Sequence, residues 1–124
     1  MDIIGKFKNG IITISNLKTE DGEYKCHFNF DINILTSNIS YTYHFGETVY
    51  FSMYDFIDGK EKKLIDEDCQ DNYLEMTKEY FAIKLNNEGF NSNIQINFDK
   101  FEDQNKLSDF LIELKACCEY LMQS

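Results

Sequence analysis

Arginine, tryptophan and proline are all absent from this 124-residue chain. Without arginine there is no bidentate guanidinium fork, the group that phosphate and carboxylate sites favour. Its twelve basic residues, all lysine, face twenty-two acidic ones, for a net charge of −10. Nucleic-acid binding relies on basic side chains that displace phosphate counterions, so neither a nucleic-acid binder nor a phosphoryl-transfer enzyme is expected. Twelve asparagines, fourteen isoleucines and lysine as the sole basic residue suggest a bias at the nucleotide level. That bias weakens the meaning of any one missing residue type. Long hydrophobic runs are missing too: no segment reaches the roughly 18 uninterrupted apolar residues of a membrane span. The opening Met1-Asp2-Ile3-Ile4-Gly5-Lys6 lacks the basic and long apolar regions of a secretory signal, so a cytoplasmic location is expected. No repeat, low-complexity stretch or Gly/Ser linker divides the chain, and one domain over residues 1–124 is expected.

The four cysteines are Cys26, Cys69, Cys117 and Cys118. An even count admits a disulfide framework, but 43% hydrophobic residues, including 15% aromatics, need no staples. Reduced, mostly buried thiols are expected. No C-x-x-C spacing occurs, and an adjacent pair cannot clamp a metal in the usual way. None makes a persuasive nucleophile: Cys26 faces a core, Cys117 and Cys118 lie along a packing stripe, and Cys69 sits in an acidic loop.

Period-two alternation is the main structural signal. Tyr24, Cys26, Phe28, Phe30, Ile32 and Ile34 alternate with polar residues, giving a long strand with one buried face. Ile39, Tyr41, Tyr43 and Phe45 continue the pattern after Thr36-Ser37. A two-residue loop there sets Ile34 opposite Ile39, and a four-residue loop keeps the same parity. Gly10 to Leu17 reads as an earlier strand, closed by Glu20-Asp21-Gly22. Gly46-Glu47 reads as a turn into a short strand, Thr48 to Phe51. Ser52 and Asp55 then suit a helix start, with a helix from about Met53 to Ile65. Asp66 to Asn72 is a polar, acidic loop. Tyr73 to Leu85 is a strand in at least its second half, Asn86-Asn87-Glu88-Gly89 is a turn, and Ile94 to Phe98 returns. Leu107, Phe110, Leu111, Leu114, Cys117 or Cys118, Leu121 and Met122 mark a closing amphipathic helix, which Asp99, Asp103 or Asn105 can cap. These elements predict an α+β fold: an antiparallel sheet of about five to seven strands, one polar face, a long C-terminal helix and a shorter mid-chain one.

Motif searches yield little chemistry. No phosphate-loop, dinucleotide, nucleophile-elbow or H-E-x-x-H pattern is present, so no catalytic, cofactor-binding or metal-binding residue is assigned and an enzyme is not expected. Asp66 to Asp71 resembles the start of a calcium loop but has Asp71 where glycine is required and Thr77 where glutamate is required. His27 and His44 fall on one polar sheet face with Asn29 and Asp31, a group that would suit a ligand, a metal or acid–base work. Polar residues on the wet side of a sheet are the plainer reading. Between Asp55 and Glu79 the chain is richest in acid. There Asp55, Asp58, Asp66, Glu67, Asp68 and Asp71 accompany Tyr54 and Tyr73 as candidates for contact with a basic protein. A solvated face kept acidic for solubility accounts for the same residues.

The layout resembles the small immunity proteins of bacterial polymorphic-toxin and contact-dependent growth inhibition systems. The likeness lies in the leading strand Gly10 to Leu17, the amphipathic hairpin Tyr24 to Phe45 and the acidic middle. It extends to the late hairpin around Asn86 to Gly89, which leads through Ile94-Gln95-Ile96-Asn97-Phe98 into the helix Leu107 to Met122. The resemblance implies a cytoplasmic protein that binds one cognate toxin domain, often a nuclease with a basic substrate cleft, and blocks it. From the net charge and the lack of a long apolar run, no nucleic-acid or membrane partner is expected. A stand-alone adaptor, or a small ligand-binding protein using the His27/His44 face, are the other readings. A homodimer through the sheet's open face is left open.

Overall fold

A computed structural model describes residues 2–19 and 27–123. The expected Glu20-Asp21-Gly22 turn and the Tyr24–Cys26 start of the hairpin lie outside the described residues. Eight strands and two helices follow in the order β1 (Ile3–Phe7), β2 (Gly10–Thr19), β3 (His27–Leu35), β4 (Ser40–Val49), α1 (Tyr50–Ile57), β5 (Lys63–Ile65), β6 (Tyr73–Met76), β7 (Tyr80–Asn87), β8 (Phe90–Asn97) and α2 (Gln104–Gln123). The α+β class and the closing helix are as expected; the single sheet of five to seven strands is not. The strands form two four-stranded antiparallel meanders, β1-β2-β3-β4 and β5-β6-β7-β8.

Both sheets turn their apolar faces onto one core. Phe28, Phe30, Ile32 and Ile34 of β3 are buried, as are Phe81 and Ile83 of β7 and Ile94 and Ile96 of β8. Phe30 and Phe45 form a cross-strand pair with stacked rings, 5.0 Å between centroids. Burying each such ring contributes about 1.5–3 kcal/mol. α2 lies along β1, where Phe7 meets Phe110 edge-on at 6.3 Å and Phe98 at 4.9 Å. Leu107, Phe110, Leu114 and Cys118 form the buried stripe of α2 at helical spacing. Asp103 occupies the capping position, but its carboxylate reaches outward to accept the Lys8 amide at 3.0 Å and the Asp99 amide at 2.6 Å. It therefore ties the β1–β2 turn and the β8–α2 connection to the start of the helix.

The β3–β4 loop has four residues, with Leu35 paired to Ser40 and Ile34 to Tyr41. Thr36 selects that longer loop, since its Oγ1 accepts the amides of Asn38 and Ile39. Gly46-Glu47 is no turn. β4 runs through it to Val49, and the register slips between the Phe28 and Phe30 pairings, a bulge on β4. The mid-chain helix therefore begins earlier than expected, at Tyr50, and ends at Ile57. Lys63–Ile65 is strand rather than helix. Tyr73 to Leu85 divides at Thr77, whose Oγ1 accepts the amides of Glu79 and Tyr80 and turns β6 into β7. No helix among the described residues is long and apolar enough to cross a membrane.

Candidate partner-binding surface

α1 turns Met53, Phe56 and Ile57 inward, the i, i+3, i+4 pattern of one helical face. That places Phe51 and Asp55, four residues apart, together on the solvent side. β5 is too short to do more than bury Leu64, which leaves Lys63 and Ile65 pointing out. Between the two elements lies an open cleft of about 790 Å³ whose walls include Phe51, Asp55, Glu61, Ile65 and Glu67. Phe51 is 58% exposed and Ile65 50%. Large apolar side chains set among charges are the anatomy of a contact surface rather than of a core.

Of the eight candidate contact residues, the structure brings Asp55 and Glu67 into this cleft. Asp68 and Asp71 are exposed on the adjoining loop. Asp58 is exposed but turned away from the cleft, its carboxylate 2.8 Å from Lys115 Nζ. Tyr54 is half-buried, its ring packed on Tyr50 and Phe28, and burial raises its hydroxyl pKa. Tyr73 is half-buried beneath Lys63, whose Nζ stands 4.7 Å from the ring centre. Lys60, Lys62 and Lys63 line the same cleft, so its charge is mixed rather than purely acidic. Phe51 and Ile65, the apolar anchors, were not among the residues singled out in the sequence. The signal was present in the Phe51–Asp55 spacing, but Val49-Tyr50-Phe51 reads as strand.

Asp66 stands apart from the other candidate acids, with only 2% of its surface exposed. Its Oδ1 accepts the amides of Asp68 at 2.9 Å and Cys69 at 3.4 Å, and its Oδ2 accepts the Tyr43 hydroxyl. Burial, then the neighbouring Asp66, push the Tyr43 hydroxyl well above the ordinary tyrosine range. Asn72 closes the loop: its carbonyl accepts the Asp66 amide at 3.0 Å, and its side chain reaches both Tyr43 and the Asn86 amide. Gly46 lies directly under this bracket, and a Cβ there would sit 2.3 Å from Asp66 Oδ1. Asp66 thus holds the loop's shape, and the exposed Glu67, Asp68 and Asp71 project from a braced frame.

The two histidines do not share a site. The four-residue loop sets Asp31, not Asn29, opposite His44, with Nδ1 of His44 2.6 Å from Asp31 Oδ1. Asn16 donates to the other carboxylate oxygen at 2.7 Å. That hydrogen bond, followed by the one to His44, holds the Asp31 carboxyl below the usual range. His27 lies beyond the β4 bulge, its Nδ1 3.6 Å from Glu67 and outside hydrogen-bond reach. No group of three or more His, Cys, Asp or Glu side chains suited to a metal occurs among the described residues. Cys69, Cys117 and Cys118 are free thiols. Burial raises the pKa of Cys117 and pushes that of Cys118 up to about 12, which suits packing rather than nucleophilic work.

No family model, no curated protein and no solved structure matches this chain.

Proposed function

We propose that this protein is an immunity-type inhibitor that binds one cognate toxin domain, basic and nuclease-like, through the α1–β5 cleft and the Asp66–Asn72 loop. The observation that carries the reading is the placement of exposed Phe51 and Ile65 beside Asp55, Glu61 and Glu67, with Asp68 on the adjoining rim. Phe51 and Ile65 supply apolar anchors, which dominate binding energy when desolvated at the centre of an interface. Within the cleft Lys60, Lys62 and Lys63 match the three carboxylates, so the field that steers a basic partner comes from the exposed Asp68 and Asp71 of the adjoining loop. A chain of net charge −10 adds a long-range attraction for the same partner. The loop's frame, fixed by Asp66, Tyr43 and Asn72, limits the conformational entropy lost on docking.

The test is protection in living cells. The product of the gene adjacent to this one is expressed as the candidate toxin, with and without this chain. The reading expects that product alone to arrest growth and co-expression to restore it. A triple variant, Glu61→Lys, Glu67→Lys and Asp68→Lys, should lose protection while folding normally, because all three side chains are exposed. Asp66 is excluded from the set, since reversing a buried, fully bonded carboxylate would unfold the loop. A toxic neighbour that this chain leaves fully active contradicts the proposal. A partner whose neighbouring gene encodes no toxin, bound at the same cleft, would favour the adaptor reading.

A further inference from the structure

The eight residues of β8, Phe-Asn-Ser-Asn-Ile-Gln-Ile-Asn, carry no charge in a chain with 22 acidic and 12 basic residues. β8 is also the outer strand of its sheet. The two-residue turn Glu88-Gly89 pairs Asn87 with Phe90 and sets the ladder's parity. With that parity, Phe90, Ser92, Ile94 and Ile96 exchange hydrogen bonds with β7. The backbone N–H and C=O groups of Asn91, Asn93, Gln95 and Asn97 point away from it. The Asn97 carbonyl is taken by the Asn9 side chain at 2.9 Å, which agrees with this parity and stops the free edge there. Among the described residues no backbone bond from another element reaches Asn91, Asn93 or Gln95.

Free strand edges are ordinarily blunted, and the other three edges here each carry a charged residue. β5 has three residues, one of them lysine. β4 is bulged at Gly46-Glu47, with Ser40–Phe45 uncharged before it, and β1 carries Lys6 and runs beside α2. β8 has no proline, no bulge and no charge. Phe90, on the core-side face of the strand but beyond the core, is 80% exposed.

We propose that β8 is a self-association edge: two copies of this chain pair antiparallel through it, joining their four-stranded sheets into one. The two-fold axis falls at Asn93. Asn93 then faces its own counterpart, and Asn91 faces the other copy's Gln95, so that all the free groups of these three residues are satisfied. In that register Phe90 lies opposite the other copy's Ile96 and Ser92 opposite its Ile94. The same register ends where Asn9 has already closed the edge. Two chains of charge −10 repel each other, and an uncharged strand is where they can approach most closely. Raising salt to screen that repulsion therefore strengthens this contact.

Sedimentation velocity on the full chain from low to high micromolar concentration tests the inference. The expected result is reversible conversion from one chain mass to twice that mass, favoured by added salt. N93K places two like charges across the axis, and N93P removes an outward N–H without touching the β7 ladder; each should weaken dimerisation at least tenfold. Amide exchange on the unmodified protein supplies a second readout. The amides of Asn91, Asn93 and Gln95 should become protected as concentration rises. A chain that stays monomeric throughout, or a dimer that survives both substitutions with those amides unprotected, overturns the proposal. Neither outcome depends on the partner proposed to dock at the α1–β5 cleft.

Discussion

Asp66 shows how one carboxylate among many can be structural. Seven acids crowd residues 55–71, yet this one alone is buried, and its oxygens are claimed by Tyr43 and two loop amides. Tyr43→Phe leaves a buried carboxylate short of a donor, so it is expected to cost about 1–3 kcal/mol in urea unfolding. Gly46→Ala forces a methyl group into the Asp66 and Asp68 side chains, and a loss of about 1–3 kcal/mol is expected there as well. Asp31 offers a pH test. Its folded carboxyl is depressed, so the unfolded state binds the proton more tightly. The stability it contributes is present above the ordinary aspartate value of about 4 and is lost as pH falls through its lower folded value. Asn16→Gly removes the leading cause while keeping a residue at home at φ 54°. The variant's unfolding midpoint should therefore fall less steeply than the parent's on the acid side. An unchanged acid slope would show that the Asn16 contact does not matter in solution.

Elements were legible from sequence where a period persisted, and obscure where a tertiary contact overrode it. The alternation of Phe28 to Ile34 against Tyr41 to Phe45 predicts the β3–β4 hairpin with the right faces, and the loop alternative of four residues is the one formed. The stripe from Leu107 to Met122 likewise predicts α2 within a few residues. α1 was misplaced because nothing local marks its start: Val49 holds the capping position without a side-chain bond. Burial of Met53, Phe56 and Ile57 forms the helix despite the β-favouring Tyr50 and Phe51. Gly46 reads as a turn residue, but the structure needs it small so that the Asp66 bracket can cross the strand. The partition into two sheets could not be read at all, because alternation shows which face is buried and not which strands pair. The same limit hid the cleft, whose anchors Phe51 and Ile65 come from a helix and a strand that sequence reasoning had placed otherwise. At the start of α2, Asp103 joins three segments through the amides of Lys8 and Asp99. Asp103→Ala is expected to cost about 1–3 kcal/mol, measured by urea unfolding, a larger loss than an exposed cap alone would give. A loss under half a kilocalorie would mean that water replaces the carboxylate there.

On the scale of the whole molecule, the net charge of −10 acts in two opposed ways. On the proposed reading it draws a basic partner to the α1–β5 cleft, and it repels a second copy least at uncharged stretches such as the β8 edge. The two associations should therefore respond to salt with opposite signs, heterologous binding weakening and self-association strengthening. They should also separate by mutation: N93K should leave partner binding intact, and the Glu61, Glu67 and Asp68 reversals should leave the β8 contact intact. The most direct test of the proposed function is calorimetric titration of this chain with the product of the gene adjacent to its own, at low and at high salt. The account predicts a one-to-one complex whose affinity drops as salt rises, and which the triple Lys variant weakens by about 10- to 100-fold with a flatter salt dependence. Absence of a complex at low salt, or a complex indifferent both to salt and to those three substitutions, would contradict it.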